Sequence, residues 1–127
     1  MGRMTARGAL PPDKPTKPPR TYMESWPTGV VRIPDQEGGA AIEHLVEQAA
    51  RLAARIRERR DERGLRRSQL AAMTGLRPNT VGDVEEGRTW PDLRTLGLIA
   101  WALEADLEFE PRVAIRAAEP VARYRFS

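Results

Sequence analysis

Two short helical patterns that meet at Gly75 constrain the fold of this chain more than any other feature of its sequence. They lie within residues 64–91, and apolar residues recur in both of them at helical spacing. These apolar positions are Leu70, Ala71, Val81 and Val84. Each helix can therefore bury one side and leave the other exposed, with polar residues such as Arg67, Arg77 and Asn79 on the exposed sides. The stretch predicts two packed helices joined by a tight turn.

This stretch and its surroundings resemble the lambda-repressor-like (Cro and Xre) helix-turn-helix family, whose members bind DNA. The resemblance covers residues 52–107, with no gap in the family's spacing. The matching residues are Ile56, Arg60, Gly64, Leu65, Leu70, Ala71, Gly75, Leu76, Val81, Val84, Glu85, Gly87, Arg88, Pro91, Leu96, Ile99, Ala100, Ala102 and Leu103. The resemblance implies a mainly α, lambda-repressor-like helix-turn-helix bundle, in which the helix at about residues 78–86 reads the major groove of double-stranded DNA.

Length and composition exclude several other classes of protein. A chain of 127 residues allows one compact domain with tails. The chain has no Cys, which excludes disulfides and Cys-ligated zinc, and no cluster of metal ligands is evident, so we predict neither a metal nor a cofactor. No apolar stretch is long enough to cross a membrane. We therefore expect a soluble, cytoplasmic protein that has no membrane contact and is associated with the nucleoid when it binds DNA.

The N-terminal region differs in composition from the rest of the chain. Residues 1–20 contain five Pro and five basic residues, against a single acidic one. Such a segment has little that can pack, so we predict that residues 1–39 form a disordered or extended basic arm, with a pattern at 29–33 that allows a short strand. All but two of the 21 basic residues of the chain are Arg, whose forked guanidinium suits phosphate or guanine.

The helix-turn-helix domain is predicted to span residues 40–106. Its first helix, at about 40–63, begins roughly two to three turns earlier than the family's first helix. The extra turns would pack on the domain, on a dimer mate or on another protein. His44 lies in this extension, and a lone His is most often an ordinary surface or packing residue. The last helix is predicted at about 92–104, with Asp92 at its N-terminus.

After residue 106 the apolar period changes to two, which predicts a C-terminal strand or hairpin over residues 107–127. Its predicted dimerisation residues are Leu107, Phe109, Val113 and Ile115. The strand would fold back on its own domain or be shared between subunits. Residues 102–109 resemble the antitoxins of Hip-type toxin–antitoxin pairs, which implies that the strand pairs with its two-fold mate in a homodimer and that a toxin is a further partner.

The helix-turn-helix resemblance also implies roles for individual residues. Arg60 and Glu85 match the family's internal ion pair, which would lock the first helix to the end of the recognition helix. The predicted DNA-binding residues are Arg67, Ser68, Arg77, Asn79, Thr80, Asp83, Arg88 and Thr89. Within this set Arg77 would face guanine and Asn79 adenine, and Asp83 would accept from cytosine or face solvent. Arg67 would contact phosphate or base, and Arg88 and Thr89 would contact phosphate.

Both helices of the motif have an Arg where the family prefers a capping Ser or Thr. These residues are Arg66 and Arg77, and the missing caps would cost about 1 kcal/mol each. Alternatively, the first helix of the motif starts later, with Ser68 as its cap. Gly82 would allow a close approach of DNA or of a dimer mate, or it has no such role.

These features favour a sequence-specific DNA-binding regulator, most simply a dimeric repressor. The alternative is an antitoxin-type protein-interaction module that binds a toxin and its own promoter. Neither function requires catalysis, and we expect no enzyme. The serine hydroxyls have only His44 to activate them, and no glycine-rich phosphate loop follows a strand.

Overall fold

The computed structural model describes residues 14–33 and 39–112, and this part of the chain is mainly helical. Its four α-helices are α1 (Gly39–Glu62), α2 (Arg67–Thr74), α3 (Pro78–Glu85) and α4 (Leu93–Ala102). A short 3-10 helix, Pro19–Tyr22, precedes them. The described residues form no strand, only an isolated antiparallel bridge between Met23 and Val31. The prediction of a mainly α helix-turn-helix bundle is confirmed.

The four α-helices share one apolar core. Its buried members are Ile56, Leu70, Ala71, Val81, Val84, Ile99, Ala102 and Leu103. Leu70, Val81 and Ile99 are completely buried, and burial of one such side chain stabilises the fold by about 1.5 to 3 kcal/mol. The core therefore fixes α3, chiefly against α2 and α1, through Val81 and Val84.

Short capping interactions define the ends of the motif helices. α2 begins at Arg67, so the alternative in which it starts later with Ser68 as its cap is wrong. The Gln69 side chain makes the reciprocal contact of a capping box, because its Oε1 accepts a hydrogen bond of 2.8 Å from the Arg66 backbone N–H. Gly75 ends α2 at a φ of 78°, a left-handed conformation that Gly adopts without steric cost. The turn then leads directly into α3.

The remaining helix ends also follow from local sequence. Arg77 precedes α3 without a side-chain cap, and Pro78 occupies the first helical position, as expected. Asp92 caps α4 through a 2.8 Å hydrogen bond from the Thr95 backbone N–H, and this bond lowers the pKa of the Asp92 carboxyl. Pro78 therefore sets the start of α3, and Asp92 sets the start of α4.

The N-terminal segment, defined here as residues 14–33, packs on the helices instead of forming a free arm. Tyr22 is buried with Ile42 and Val46 of α1, and the Trp90 indole N–H donates to the Lys17 carbonyl at 2.8 Å. Residues 14–33 are therefore packed and not disordered, and outside the 3-10 helix they contain no other helix or strand. Composition alone missed the aromatic anchors in an otherwise polar, Pro-rich segment. Residues 1–13 and 34–38 lie outside the described residues.

This packing also accounts for the long first helix. The turns of α1 that precede the family's first helix bury Ile42 and Val46 against the N-terminal segment of the same chain. Of the three partners considered for these turns, the chain's own domain is the one the structure provides. The short strand expected at 29–33 is reduced to the single bridge between Met23 and Val31, which is flanked by backbone hydrogen bonds from Glu24 to Val30 and from Arg32 to Tyr22.

The segment after α4 does not form the expected strand in the single chain. Residues 107–112 are described and have no regular structure, and Phe109 is 99% exposed. A strand needs a neighbouring strand for its backbone groups, and the backbone of this segment makes no hydrogen bond to another described residue. Val113, Ile115 and the second half of the expected hairpin lie outside the described residues. Among residues 14–33 and 39–112, no helix is long and apolar enough to span a membrane.

Candidate nucleic-acid interface

α3 separates buried from exposed residues sharply along its length. Val81, Val84 and Glu85 are buried against the other helices. Arg77, Pro78 and Asn79 at its N-terminal end are exposed, and Thr80 is half-buried. The helical period of 3.6 places Asn79, Asp83 and Glu86 along one stripe. The exposed surface of α3 is therefore polar and begins at its first turn.

Arg60 and Glu85 form the ion pair that the sequence resemblance implies. The Arg60 Nε and Nη2 atoms donate to Glu85 Oε2 and Oε1 at 2.7 and 2.9 Å, and Nη1 donates to the Leu65 carbonyl at 2.8 Å. The Glu85 side chain has no exposed surface. The hydrogen bonds to Glu85 raise the pKa of Arg60 above its ordinary value. The pair fixes the C-terminal end of α3 to α1.

Arg67 binds two carboxylates of its own chain. Its Nε donates to Glu85 Oε1 at 3.0 Å and its Nη2 donates to Glu86 Oε2 at 2.8 Å, and the side chain is 32% exposed. The hydrogen bond to Glu86 raises the pKa of Arg67 and lowers that of Glu86. The Nη1 atom makes no hydrogen bond to a described residue, so Arg67 keeps one donor group for a further contact.

Asp83 and Arg88 bind each other. Arg88 Nε donates to Asp83 Oδ1 at 3.0 Å, and both side chains remain about half exposed. The carboxylate therefore already has a partner in the unbound protein, as has the guanidinium. Ser68 lies exposed in the first turn of α2, and Thr89 is half-buried in the loop after α3. The structure thus places all the predicted DNA-binding residues on α2, α3 and the adjoining loop, with Arg67, Asp83 and Arg88 engaged internally.

Gly82 lies beneath two of these guanidinium groups. A Cβ at this position would be 3.5 Å from Arg67 Nη1 and 3.7 Å from Arg88 Nη2, which is ordinary van der Waals contact. Arg67 and Arg88 consequently cover the middle of α3 from either side. The close neighbour of Gly82 in this chain is therefore a pair of Arg side chains.

The loop that follows α3 is held by the N-terminal segment. Gly87 has a φ of 70°, and a Cβ there would overlap the indole of Trp26. The Trp26 N–H donates to the Glu85 carbonyl at 2.8 Å, and the Arg20 backbone N–H donates to the Gly87 carbonyl at 2.9 Å. Only Gly can meet both the backbone conformation and the close indole. The N-terminal segment therefore fastens the C-terminal end of α3.

Glu86, next to this loop, is surrounded by three guanidinium groups. Arg67 binds it at 2.8 Å, and Arg20 and Arg57 approach its carboxylate at 3.8 and 3.9 Å. Sequence reasoning missed Arg20, Arg57 and Trp26. For Arg57 a signal existed, because it lies one helical turn before Arg60 and so on the same side of α1. Arg20 and Trp26 carry no local signal, since their partners lie about sixty residues further along the chain.

Comparison with known proteins gives two matches. The model of the Helix-turn-helix family matches residues 56–109. A protein of Bacillus phage phi105 described as the ImmF control region 10 kDa protein is 30% identical to this chain over 69 residues. The matched region covers 54% of this chain and 77% of the phage protein. The N-terminal segment lies outside the part of the chain that the family model matches.

Proposed function

The chain belongs to the Cro/Xre-like helix-turn-helix family of DNA-binding regulators, and from this premise we propose that it is a dimeric repressor that reads an operator with α3. The family is regulatory and not enzymatic. The observation that carries the proposal is the exposure of Arg77 and Asn79 at the N-terminal end of a helix whose other end is fixed by the buried Glu85. A helix held in this way can enter the major groove with its first turn at the base edges.

Base readout is assigned to the first turn of α3. Arg77 suits the two acceptors of guanine, Asn79 suits adenine, and Thr80 can contact either the bases or a thymine methyl group. These side chains are free of the ion pairs that occupy Arg67, Asp83 and Arg88 in the described structure. They can therefore turn toward DNA without breaking an internal hydrogen bond.

Phosphate contacts are assigned to the residues beside α3. Ser68 is exposed in the first turn of α2, where backbone N–H groups attract an anion. Arg88 and Thr89 lie in the loop after α3, and Arg88 would exchange Asp83 for a phosphate on binding. Such an exchange conserves one charge-assisted hydrogen bond, so its net cost is small.

Dimerisation is proposed through the C-terminal segment. Leu107 and Phe109 are exposed by 39% and 99%, and the backbone of residues 107–112 makes no hydrogen bond to another described residue. Antiparallel pairing with a second copy would satisfy these groups and bury the apolar side chains, with Val113 and Ile115 as the further predicted members. A two-fold dimer would place its two recognition helices about 34 Å apart, one turn of DNA.

Truncation after Asp106 tests this dimer. The truncated protein is expected to fold as a monomer, because every core residue precedes the cut. Its affinity for a two-half-site operator should fall at least tenfold, since only one half-site is then bound at a time. Sedimentation equilibrium measures the assembly directly. A truncated protein that stays dimeric would place the interface elsewhere.

An antitoxin-type module that also binds its own promoter is the second candidate. It is favoured by Leu93 and Trp101 of α4, which are exposed by 74% and 68% and offer apolar surface to a protein partner. This candidate predicts that the product of an adjacent gene arrests growth when produced alone and forms a stable complex with this chain when both are produced. A dimeric repressor without a toxin predicts neither result.

Selection of binding sites from a random DNA pool tests the proposed function as a whole. The purified full-length protein is expected to enrich a palindrome whose half-sites are centred about 34 Å apart. Enrichment of a single, non-palindromic half-site would contradict the proposed dimer, but it would leave intact the proposal that α3 reads bases. Failure to enrich any sequence would contradict the proposal that α3 reads bases.

A further inference from the structure

Three guanidinium groups meet around one carboxylate at the C-terminal end of α3. This guanidinium cluster, as we define it, consists of Arg20 from the N-terminal segment, Arg57 from α1 and Arg67 from α2, which surround Glu86. The Arg side chains are 44%, 49% and 32% exposed, and Glu86 is 29% exposed. The cluster is therefore open to solvent and within reach of a ligand at the surface.

The guanidinium cluster carries more positive than negative charge. Its three guanidinium groups face one carboxylate, whose pKa is lowered by the hydrogen bond from Arg67, so Glu86 is ionised at neutral pH. The neighbouring Glu85 does not balance the excess, because it binds the buried Arg60 as well as Arg67. Arg60 also contacts Asp61 at 3.6 Å, so the four guanidinium groups face three carboxylates. One positive charge is left in excess, and an anion can supply its partner.

The guanidinium cluster adjoins the proposed reading face of α3. Glu86 follows Asn79 and Asp83 along the same helical stripe. Arg67 and Arg88 both lie over Gly82, at 3.5 and 3.7 Å from the position of its Cβ. Continuous polar surface therefore runs from the first turn of α3 to the cluster. A duplex with its bases against that first turn would pass its backbone close to this surface.

The N-terminal segment holds Arg20 in place before any ligand binds. Its backbone N–H donates to the Gly87 carbonyl at 2.9 Å, and Trp26 of the same segment donates to the Glu85 carbonyl at 2.8 Å. The side chain of Arg20 is thus presented from a fixed backbone. A contact made by a preorganised group loses less conformational entropy than one made by a free tail.

We propose that Arg20 and Arg57, together with Arg67, bind a backbone phosphate of the DNA at the edge of each half-site. In the free protein Glu86 takes the place of this phosphate and keeps the guanidinium groups together. A phosphate offers the same paired oxygen acceptors as a carboxylate, which suits the guanidinium fork. The inference rests on the proposed function, and it extends the DNA-binding surface to a segment beyond residues 56–109.

The test compares the full-length protein with the double variant Arg20→Gln and Arg57→Gln. Affinity is measured by fluorescence anisotropy on the selected operator and on an unrelated duplex, over a range of salt concentrations. Both affinities should fall severalfold by a similar factor, so that the specificity ratio is unchanged, because a phosphate contact carries no sequence information. The slope of log K against log salt should decrease in magnitude by about 0.9 for one phosphate.

A matched control changes two other Arg residues of the same elements. Arg32 lies in the N-terminal segment and binds Glu24, and Arg55 lies two residues before Arg57, on the opposite side of α1. The double variant Arg32→Gln and Arg55→Gln removes the same net charge and should leave the slope unchanged. The charge-conserving variant Arg20→Lys and Arg57→Lys should keep most of the wild-type slope, which separates loss of charge from loss of folding.

Several outcomes would overturn the inference while leaving the proposed function intact. In the first, the Arg20→Gln and Arg57→Gln variant binds DNA with the wild-type affinity and salt slope. In the second, the control variant lowers affinity and slope by the same amount. In the third, the Gln variant changes its base preference while its salt slope stays the same. Conversely, the wild-type protein could select no operator and still bind any duplex in a salt-dependent way. If the Gln variant then binds duplexes more weakly, the phosphate site is supported and the proposal that α3 reads bases is contradicted. If wild-type protein binds no DNA, both proposals fail.

Discussion

The two ends of α3 differ in almost every physical respect. At the N-terminal end, Arg77 and Asn79 are exposed, and no side chain caps the helix. At the C-terminal end, the Glu85 side chain is completely buried and accepts hydrogen bonds from two Arg residues. The indole of Trp26 then closes the loop over Gly87. One end is available to a partner, whereas the other is tied to three parts of the same chain.

This difference separates the residues that hold α3 in place from those that we propose contact DNA. A buried, fully paired carboxylate holds the helix axis in one direction, because moving it would strand charges away from water. The exposed first turn has no such constraint, so its side chains can differ among relatives without loss of the fold. The central claim is that the fixed C-terminal end directs the free N-terminal end at base edges.

Glu85→Ala should produce the largest loss of stability. It leaves the buried Arg60 without its partner, so the free energy of unfolding should fall by about 3 to 5 kcal/mol. Urea denaturation followed by circular dichroism measures this change. Glu58→Ala is the control, since Glu58 is exposed on α1 and makes no ion pair with another described residue, and its effect should stay below about 0.5 kcal/mol.

The double variant Arg60→Ala and Glu85→Ala sharpens the same point. Removing both partners avoids a stranded charge, so the double variant should be destabilised by much less than the sum of the two single changes. Strictly additive effects below 1 kcal/mol would show that the bridge does not hold α3, and the contrast between the two ends of the helix would then disappear.

Gly87→Ala should have the next largest effect on stability, and Gly75→Ala is its matched control. Both glycines have a positive φ, but a Cβ at Gly75 meets nothing within 4 Å, whereas one at Gly87 overlaps Trp26. We expect a loss of about 1 kcal/mol for Gly75→Ala from backbone strain and at least about 2 kcal/mol for Gly87→Ala. Thermal unfolding of the two proteins side by side gives the difference. Equal losses would mean that Trp26 does not fasten the loop.

Gln69→Ala is expected to cost about 0.5 to 1 kcal/mol. The Gln69 side chain satisfies the Arg66 backbone N–H at the start of α2, which has no side-chain cap of the usual kind. Gln48→Ala in the exposed surface of α1 is the matched control, and it should be close to neutral. Denaturant titration resolves this difference if the two variants are measured together, and indistinguishable midpoints would contradict the capping role.

The smallest expected effect is a dependence of stability on pH. Because the hydrogen bond from Arg67 lowers the pKa of Glu86, this carboxylate stabilises the fold above the unfolded pKa of about 4.3. That contribution is lost as the pH falls through the lower folded pKa. Asp92, whose pKa is also lowered by its cap, acts in the same direction. Glu86→Gln should remove part of this dependence of the free energy of unfolding on pH. The part removed should be less than about 1 kcal/mol, because the ion pairs of Glu86 are partly exposed. An unchanged pH profile would contradict this role.

Much of the fold could be predicted from the sequence because its signals are local. The C-terminal end of α1 follows from Gly64, and the N-terminal end of α4 follows from the Asp92 cap. The apolar spacing of Leu70 and Val81 identifies the two motif helices, and the Arg60–Glu85 pair follows from the family resemblance. Each of these features depends on a residue type at a fixed spacing, which a single sequence displays.

The features that could not be predicted depend on contacts between distant parts of the chain. Trp26 closes the loop at Gly87 across about sixty residues, and nothing in the spacing of a Pro-rich segment indicates where its indole will pack. Arg67 looked like a free polar residue because its partners, Glu85 and Glu86, belong to another helix. The C-terminal strand is a further case, since an alternating pattern forms a strand only when a neighbour supplies hydrogen bonds.

The base preference of the Asn79→Ala protein, selected from a random DNA pool beside the wild type, tests the central claim most directly. Asn79 is exposed at the free end of α3 and touches none of the residues that fix the other end. We predict that the variant loses preference at one base pair in each half-site, worth about 1 to 3 kcal/mol, and keeps the remaining pairs and their spacing. A selected site identical to that of the wild-type protein would contradict the claim that the first turn of α3 reads the bases.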